Sequence, residues 1–167
     1  VQAFEKPPED VEATRQALGI PSTHKVVLNL SCLKTQKDPL TYAEVAARVL
    51  QDFPNTTFLL AGDGELRSEV EARVRALGIG DRFLLLGWRR DVPTLLHLSD
   101  LLVLTSRWEG LPQVFAQAMA AGRPIVATHV DGAPEAIDHG ANGFLFHPGD
   151  AEGIARAVGK LLKDDSL

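Results

Sequence analysis

The 167-residue sequence contains a single cysteine, Cys32, and a single methionine. One thiol cannot form an intramolecular disulfide or a zinc site built on a cysteine pair. The sequence therefore excludes a disulfide-stapled domain and favours a reducing compartment. The five histidines lack the HxxxH and HxH spacings typical of zinc sites, so we expect no dedicated metal site.

Clusters of one charge sign and long apolar runs are also missing. Lysines and arginines are scattered and the net charge is −5, so no basic patch indicates nucleic-acid binding. No apolar run approaches the ~20 residues that cross a bilayer, and the first residues show no basic-then-apolar signal pattern. With 45% hydrophobic and 23% charged residues, the chain has the composition of one soluble globular domain.

Short apolar runs alternate with longer amphipathic stretches along the whole chain. Most of the runs are continuously apolar rather than alternating, which is typical of strands covered on both faces in a parallel sheet. The predicted strands are 25–30, 57–61, 83–86, 101–105, 124–128 and 144–147. The predicted helices are 8–18, 40–53, 66–77, 91–98, 111–121 and 151–162.

This alternation predicts βαβ units and a Rossmann-like, doubly wound α/β fold. We expect a six-stranded, mostly parallel sheet with helices on both faces. In such sheets, ligands bind at the carboxyl ends of the strands, next to a topological switch point. The loops that follow the first five strands are therefore the candidate site, namely 31–38, 62–64, 87–90, 106–112 and 129–135.

The loop 106–112 has residue types suited to hydroxyls and to an anion. Glu109 ends the strand region with a carboxylate that can accept hydrogen bonds, and Gly110 frees the backbone just before a helix. Gln117 follows on the same side of that helix. The backbone N–H groups suited to an anion at the helix N-terminus are those of Leu111, Gln113 and Val114. An ordinary carboxylate complementing the helix dipole would explain Glu109 equally well.

Two further loops carry weaker signals. Loop 31–38 holds Lys34 and Lys37 before a helix, which suits phosphate but also fits a solvated surface loop. In loop 87–90, Gly87 allows close approach of a flat ligand, and Trp88 or Arg89 could stack on a base. Packing of Trp88 at the domain rim is an equally good interpretation.

The residues of these loops resemble a known family. SRWEGLP at 106–112 and QAMAAGRPIVAT at 117–128 closely resemble the signature of glycosyltransferase family 4, a retaining family with the GT-B fold. AGDGEL at 61–66, LG at 86–87, DGAPE at 131–135 and NGFLF at 142–146 agree in order. The resemblance runs from about residue 26 to residue 162.

The resemblance implies a domain arrangement. A GT-B enzyme has two Rossmann-like domains, and the C-terminal one holds most of the donor. Residues 1–167 are thus expected to be the nucleotide-sugar-binding C-terminal domain, with 1–21 leading into it and the N-terminal acceptor domain outside this chain. The expected partners are that domain and a UDP-, GDP- or ADP-linked sugar.

The resemblance also implies an activity for the full-length protein. We expect it to transfer a sugar from the nucleotide diphosphate to an acceptor hydroxyl with retention, without an obligatory metal or other cofactor, whereas the isolated domain is expected to be inactive. The expected location is cytoplasmic, with peripheral association to the inner face of the membrane only through the absent domain.

The resemblance assigns roles to matching residues. Glu109 is expected to contact donor-sugar hydroxyls and Lys37 the diphosphate, and these two are the expected catalytic residues. The backbone of loop 106–112 and the following helix start are expected to meet the diphosphate or sugar, and loop 87–90 the base. The expected donor-binding residues are Gly110, Leu111, Gln113, Val114, Gln117, Gly87, Trp88, Arg89, Glu65, Leu66, Cys32 and Arg107.

Two residues depart from the family pattern. Gln117 replaces the second glutamate of the E-x7-E motif, and an amide accepts hydroxyl hydrogen bonds less strongly than a carboxylate. Cys32 stands where relatives have an arginine on the diphosphate, so Lys34 or Arg107 would have to substitute. Loss of one such donor commonly costs about 10²- to 10³-fold in rate. These departures keep two alternatives open: a degenerate nucleotide-sugar-binding or interaction module, and a GT-B sugar-nucleotide epimerase.

Overall fold

The computed structural model describes residues 2–164 and contains one six-stranded sheet in which every neighbouring pair is parallel. The strands are β1 (Lys25–Leu30), β2 (Thr56–Ala61), β3 (Phe83–Gly87), β4 (Leu101–Leu104), β5 (Ile125–Thr128) and β6 (Gly143–Phe146). The helices are α1 (Gln2–Glu5), α2 (Val11–Ala17), α3 (Pro39–Asp52), α4 (Arg67–Ala76), α5 (Val92–Leu98), α6 (Gln113–Ala120), α7 (Ala133–Ala136) and α8 (Ala151–Lys163).

Both faces of the sheet are buried, which explains why its strands read as continuous apolar runs. In β1, Val27 packs into a core with α3, α4 and α8, whereas Val26 and Leu28 pack into a second core with α5 and α6. The side chains of a strand alternate between its faces, so helices on both sides leave little room for polar residues. The predicted Rossmann-like, doubly wound architecture is confirmed.

The strand order is β3-β2-β1-β4-β5-β6. The chain builds outward from β1 in one direction, then returns to the middle and builds outward from β4 in the other. Right-handed crossovers place the connecting helices on opposite faces in the two halves. The carboxyl ends of β1 and β4 therefore form the topological switch point, where ligands bind in sheets of this kind.

All six predicted strands and all six predicted helices are present, with ends that shift by up to three residues. Three short elements are not predicted: α1, α7 and a 3-10 turn at Thr35–Lys37. The prediction of helix 111–121 needs correction at its start. Pro112 is extended, with φ −65° and ψ 123°, and α6 begins at Gln113. Proline disfavours a helical conformation in the residue before it, so Leu111 remains in the loop.

No helix within residues 2–164 has the length and apolar character needed to cross a membrane.

Candidate functional site

Lys37 and Glu109, the two expected catalytic residues, are in direct contact at the switch point. Lys37 is the last residue of the 3-10 turn that follows β1, and Glu109 lies in the loop that follows β4. The Lys37 ammonium donates a hydrogen bond to Glu109 Oε1, and Ser106 Oγ donates to the same oxygen at 2.6 Å. The glutamate side chain is 8% exposed and the lysine 20%. Their attraction is thus screened less by water than that of a surface pair.

A second ion pair joins the same two loops. Arg107 Nε donates to Asp38 Oδ2 at 3.2 Å, and the Asp38 side chain is 7% exposed. Asp38 also caps α3 by accepting hydrogen bonds from the N–H and hydroxyl of Thr41. Thr105 Oγ1 lies 2.8 Å from the carbonyl of Asp38 and 3.2 Å from that of Lys37. Each loop therefore contributes one cation and one anion.

Main-chain contacts add to this connection. The N–H of Arg107 donates to the carbonyl of Gln36 at 2.8 Å, and the Gln36 amide donates to the carbonyl of Trp108 at 3.2 Å. The two loops are therefore joined both by charges and by backbone hydrogen bonds. Such a connection fixes the relative position of the groups it carries.

The loop after β5 supports Glu109 from the other side. Asp131 accepts a hydrogen bond from the N–H of Glu109 at 2.8 Å, in a left-handed conformation with φ 39°. Gly132 packs so closely that a Cβ built on it would lie 3.2 Å from the carbonyl oxygen of Gly110 and 3.3 Å from Leu111 Cα. Thr128 Oγ1 donates to the carbonyl of Ser106 at 2.6 Å. The backbone of loop 106–112 is thus held on both sides.

The start of α6 adjoins this loop. Gln113 and Val114 are its first two residues, so their N–H groups lack the carbonyl partner that a preceding turn would supply. Leu111 lies outside the helix and its side chain is 59% exposed. Gln117 lies one turn further along and is half-buried. The predicted amide set therefore divides into two helical N–H groups and one loop N–H group.

A cleft of about 200 Å³ lies beside this region, between the loops that follow β1, β2 and β3. Cys32, the residue expected at the arginine position, is half-buried and lines the cleft. Trp88 and Arg89 form the opposite rim, and Trp88 is 79% exposed. Most of the Trp88 surface therefore faces solvent in this chain.

Arg89 is oriented by a neighbour rather than free. Its Nε donates to one carboxylate oxygen of Asp91 at 2.8 Å, and a second guanidinium nitrogen donates to the other. These hydrogen bonds lower the pKa of Asp91 and raise the pKa of Arg89. A bidentate pair leaves the flat faces of the guanidinium available for stacking.

Close backbone contacts between loops shape the floor of the cleft. Gly62 has φ 142°, and a Cβ built on it would lie 1.9 Å from the carbonyl oxygen of Ser31. The N–H of Leu66 donates to the carbonyl of Leu33 at 3.0 Å. Glu65 is exposed, and Lys34 is also exposed, on the loop behind β1. The glycines of the GDG turn at 62–64 thus bring the two loops into contact.

Ser106, Asp38 and Asp131 are among the residues at the site that have no predicted role. Each binds a residue that does have one, and each lies within two residues of a motif residue or inside a motif. Two of them, Asp38 and Asp131, are the non-glycine residues with positive φ among residues 2–164. Aspartate adopts this conformation more often than most residues, but the sequence does not show which of its aspartates do so. Within the same residues, no group of three or more His, Cys, Asp and Glu side chains could hold a metal ion.

A sequence model of the family described as "Glycosyl transferases group 1" matches residues 10–167. The chain belongs to this family. The resemblance in the sequence motifs is confirmed, and the group 1 domain has the fold expected of one half of a GT-B glycosyltransferase.

Characterised relatives in this family transfer different sugars. The group 1 domain is 31% identical over 153 residues to UDP-Gal:alpha-D-GlcNAc-diphosphoundecaprenol alpha-1,3-galactosyltransferase of Escherichia coli, covering 90% of this chain and 40% of the relative. It is 34% identical over 158 residues to N-acetyl-alpha-D-glucosaminyl L-malate synthase of Bacillus anthracis, covering 95% and 41%. The chain thus spans about two fifths of the length of these relatives.

Solved structures agree on the fold. Anabaena HepE in complex with UDP-glucose superposes with a TM-score of 0.89 at 32% identity, covering 98% of this chain and 45% of that chain. The C-terminal domain of the group 1 glycosyl transferase LpcC from Francisella tularensis gives a TM-score of 0.83 at 24% identity, covering 98% and 87%. The group 1 domain has the size and architecture of that single domain.

Proposed function

We propose that this chain is the donor-binding domain of a retaining glycosyltransferase, and that its donor is a UDP-linked sugar. In the longer protein, an N-terminal domain would bind the acceptor whose hydroxyl receives the sugar. The observation that carries the proposal is the Lys37–Glu109 pair at the switch point, which presents one cation and one hydroxyl acceptor side by side. The preference for uridine rests on Anabaena HepE, which is similar to this chain and whose structures hold UDP and UDP-glucose.

The diphosphate is assigned to the positive end of the site. Lys37 supplies an ammonium group, and the first N–H groups of α6 supply further hydrogen bonds at the positive end of a helix dipole. Negative charge develops on the diphosphate as the sugar leaves, and these groups would stabilise that charge without a metal ion. Arg107 Nε binds Asp38, so the role of the arginine that Cys32 replaces is assigned to Lys34, which is exposed on the loop after β1.

The sugar and nucleoside are assigned to groups on either side. Glu109 accepts hydrogen bonds from sugar hydroxyls, and Ser106 and Asp131 hold it in place. The ribose is assigned to Gln117. The base is assigned to the cleft beside Gly87, with Trp88 or the plane of Arg89 stacked upon it, since aromatic and guanidinium faces attract flat π systems.

Calorimetric titration of the 167-residue chain with UDP, UDP-glucose, GDP and ADP tests the proposal. We expect saturable heat with UDP and UDP-glucose, with a Kd within roughly 1 μM to 1 mM, the range in which enzymes hold their substrates. GDP and ADP are expected to bind less tightly. Saturation by GDP alone would contradict the choice of base, and absence of heat with all four would contradict nucleotide binding altogether.

A second candidate is a domain that binds the donor but no longer supports transfer. The observations that favour it are Cys32, which lines the cleft in place of an arginine, and Gln117 in place of a glutamate. The test compares donor turnover by the longer protein with that of its Cys32→Arg/Gln117→Glu variant. A gain of about 10²-fold or more in the variant would favour this candidate. Equal turnover in the two proteins would remove it.

A further inference from the structure

Two neighbouring ion pairs join the loop that follows β1 to the loop that follows β4, and their charges are arranged in opposite directions. In the first pair, the loop after β1 supplies the cation Lys37 and the loop after β4 supplies the anion Glu109. In the second pair, the loop after β1 supplies the anion Asp38 and the loop after β4 supplies the cation Arg107. The two pairs involve adjacent residues on one loop and residues two apart on the other.

A bound donor competes with the first pair but not with the second. If the proposed function is correct, the diphosphate takes hydrogen bonds from Lys37, and the sugar offers hydroxyls to Glu109. Both groups then exchange part of their mutual interaction for ligand contacts. The loops are then held by the second ion pair and by hydrogen bonds such as that from the N–H of Arg107 to Gln36, at the moment when the ligand needs them at a fixed distance.

The conformation and contacts of Asp38 are consistent with a role in connecting these two loops. It has φ 44°, a left-handed conformation that glycine adopts at lower cost, yet its carboxylate is buried. That carboxylate binds the start of α3 through Thr41 and the other loop through Arg107. Strained residues persist where the surrounding contacts compensate for the strain, and such places are often functional.

We propose that the Asp38–Arg107 ion pair is a positioning device, which holds Lys37 at its place opposite Glu109 while the donor is bound. Asp38 acts through the preceding residue, Lys37, and Arg107 acts as the anchor on the opposite loop. This inference rests on the proposed function, because it assigns the purpose of the pair to the diphosphate contact of Lys37. It assigns no direct contact with the donor to Asp38.

A double-mutant cycle tests the proposal. Calorimetry would measure UDP affinity for the wild-type chain, Asp38→Asn, Arg107→Gln and the double variant. The Asp38→Asn substitution keeps one side-chain oxygen as acceptor for the N–H of Thr41. It replaces the oxygen that accepts from Arg107 and from the Thr41 hydroxyl with an uncharged amide nitrogen. Each single variant is expected to raise the Kd for UDP about three- to tenfold, and the double variant no more than the larger single effect.

A second ligand separates positioning from general stability. Uridine has no diphosphate and therefore no use for Lys37, so its affinity, measured by NMR titration, is expected to stay within about twofold in all four proteins. If a variant loses affinity for both uridine and UDP, the substitution has disturbed the fold of the site and not only the position of Lys37. The matched control is Glu152→Gln, which breaks the exposed Glu152–Arg156 pair on α8 and is expected to leave both affinities unchanged.

The outcomes distinguish the two proposals. Effects of Asp38→Asn and Arg107→Gln that multiply in the double variant would overturn the positioning role, because Arg107 would then act on the ligand directly. Unchanged UDP affinity in both single variants would overturn it as well. Failure of the wild-type chain to bind any nucleotide would overturn the proposed function. In that case hydrogen exchange of the Arg107 N–H, which donates to Gln36, still decides the connection between the loops. Faster exchange in Asp38→Asn supports it and unchanged exchange overturns it.

Discussion

The Lys37 ammonium and the Glu109 carboxylate bind each other across a separation of 72 residues in the sequence. Each is therefore the other's main charged partner within residues 2–164. A donor that binds both groups must loosen this pair, and the energy of the pair opposes binding of any ligand that uses only one of them. The balance of charge at the site thus favours a ligand with an anionic part and a hydroxyl-bearing part.

Substitution of Lys37 or Glu109 should distinguish the contribution of the diphosphate to binding from that of the sugar hydroxyls. In Glu109→Gln, the lysine is released from a competing carboxylate, so we expect UDP to bind as well as in the wild type or up to about threefold more tightly. The same variant should lose the additional affinity of UDP-glucose over UDP. Lys37→Met should weaken both ligands by about tenfold or more, because it removes the cation that the diphosphate needs. Calorimetry with the two ligands measures these effects, and weaker UDP binding in Glu109→Gln would contradict the assigned roles.

The close approach of Gly132 to loop 106–112 predicts a steric effect on binding. Gly132 has φ −76°, which alanine adopts without strain, so Gly132→Ala tests crowding alone. Its methyl group would lie 3.2 Å from the carbonyl oxygen of Gly110 and would displace that loop by a few tenths of an ångström. We expect about a three- to thirtyfold loss of UDP-glucose affinity, because sites depend on positions at this scale.

Gly80→Ala is the matched control for this substitution. Gly80 has no positive φ, and a Cβ built there meets no atom within 4 Å. Its UDP-glucose affinity should equal that of the wild type. Equal losses in the two variants would show that the effect of Gly132→Ala is not local to the site.

Gly62→Ala should instead act on stability. Its Cβ would lie 1.9 Å from the backbone oxygen of Ser31, and its φ of 142° disfavours any other residue. We expect the free energy of unfolding to fall by about 3 kcal/mol or more, since both backbone strain and a clash with backbone must be relieved. Urea denaturation measures the change. Gly80→Ala should remain within about 1 kcal/mol of the wild type, in the stabilising direction if its φ suits alanine.

The burial of His24 leads us to expect that the stability of the fold depends on pH. It is buried, with Nδ1 3.0 Å from Thr57 Oγ1. Burial lowers the pKa of His24 from its ordinary value of 6.5, and the nearby charges of Arg82 and Arg15 lower it further. The unfolded chain then binds a proton more readily than the folded one. Stability should therefore fall as pH falls through 6.5 toward the lower folded pKa, and remain constant from this source above 6.5.

Urea denaturation between about pH 7.5 and about pH 5 tests this dependence. His24→Gln keeps a side chain that can bond to Thr57 and removes the titration, so its loss of stability over this range should be smaller than that of the wild type. His147→Gln, at an exposed position, should follow the wild type. An identical fall in the wild type and in His24→Gln would contradict the assignment.

The sequence predicts the sheet and its helices well because burial on both faces leaves a local trace. β1 is an example: four of its six residues are apolar, and it lies between two cores. The start of α6 is predicted two residues too early, since the apolar pattern begins at Leu111 while the geometry of Pro112 delays the helix. Patterns of burial thus locate elements, and backbone chemistry fixes their ends.

The site is predicted as a set of loops but not as a set of contacts. The switch-point rule brings the Lys37 and Glu109 loops to one edge, yet nothing in either segment indicates that the two side chains meet. The contacts of Asp38 and Asp131 depend on left-handed backbone conformations, which aspartate tolerates but which the packing of the loops selects. The structure places Cys32 in the cleft and Gln117 on α6. The effect of these two residues on sugar transfer stays a prediction.

The strand order divides the molecule into two consecutive pieces of chain that meet along one line. Residues up to 99 supply β1, β2 and β3 on one side, and residues from 100 onward supply β4, β5 and β6 on the other. Lys37 belongs to the first piece and its partner Glu109 to the second. A chain cut between the two pieces would therefore yield fragments that each carry half of the site, and recovery of UDP binding on mixing them would measure their reassembly.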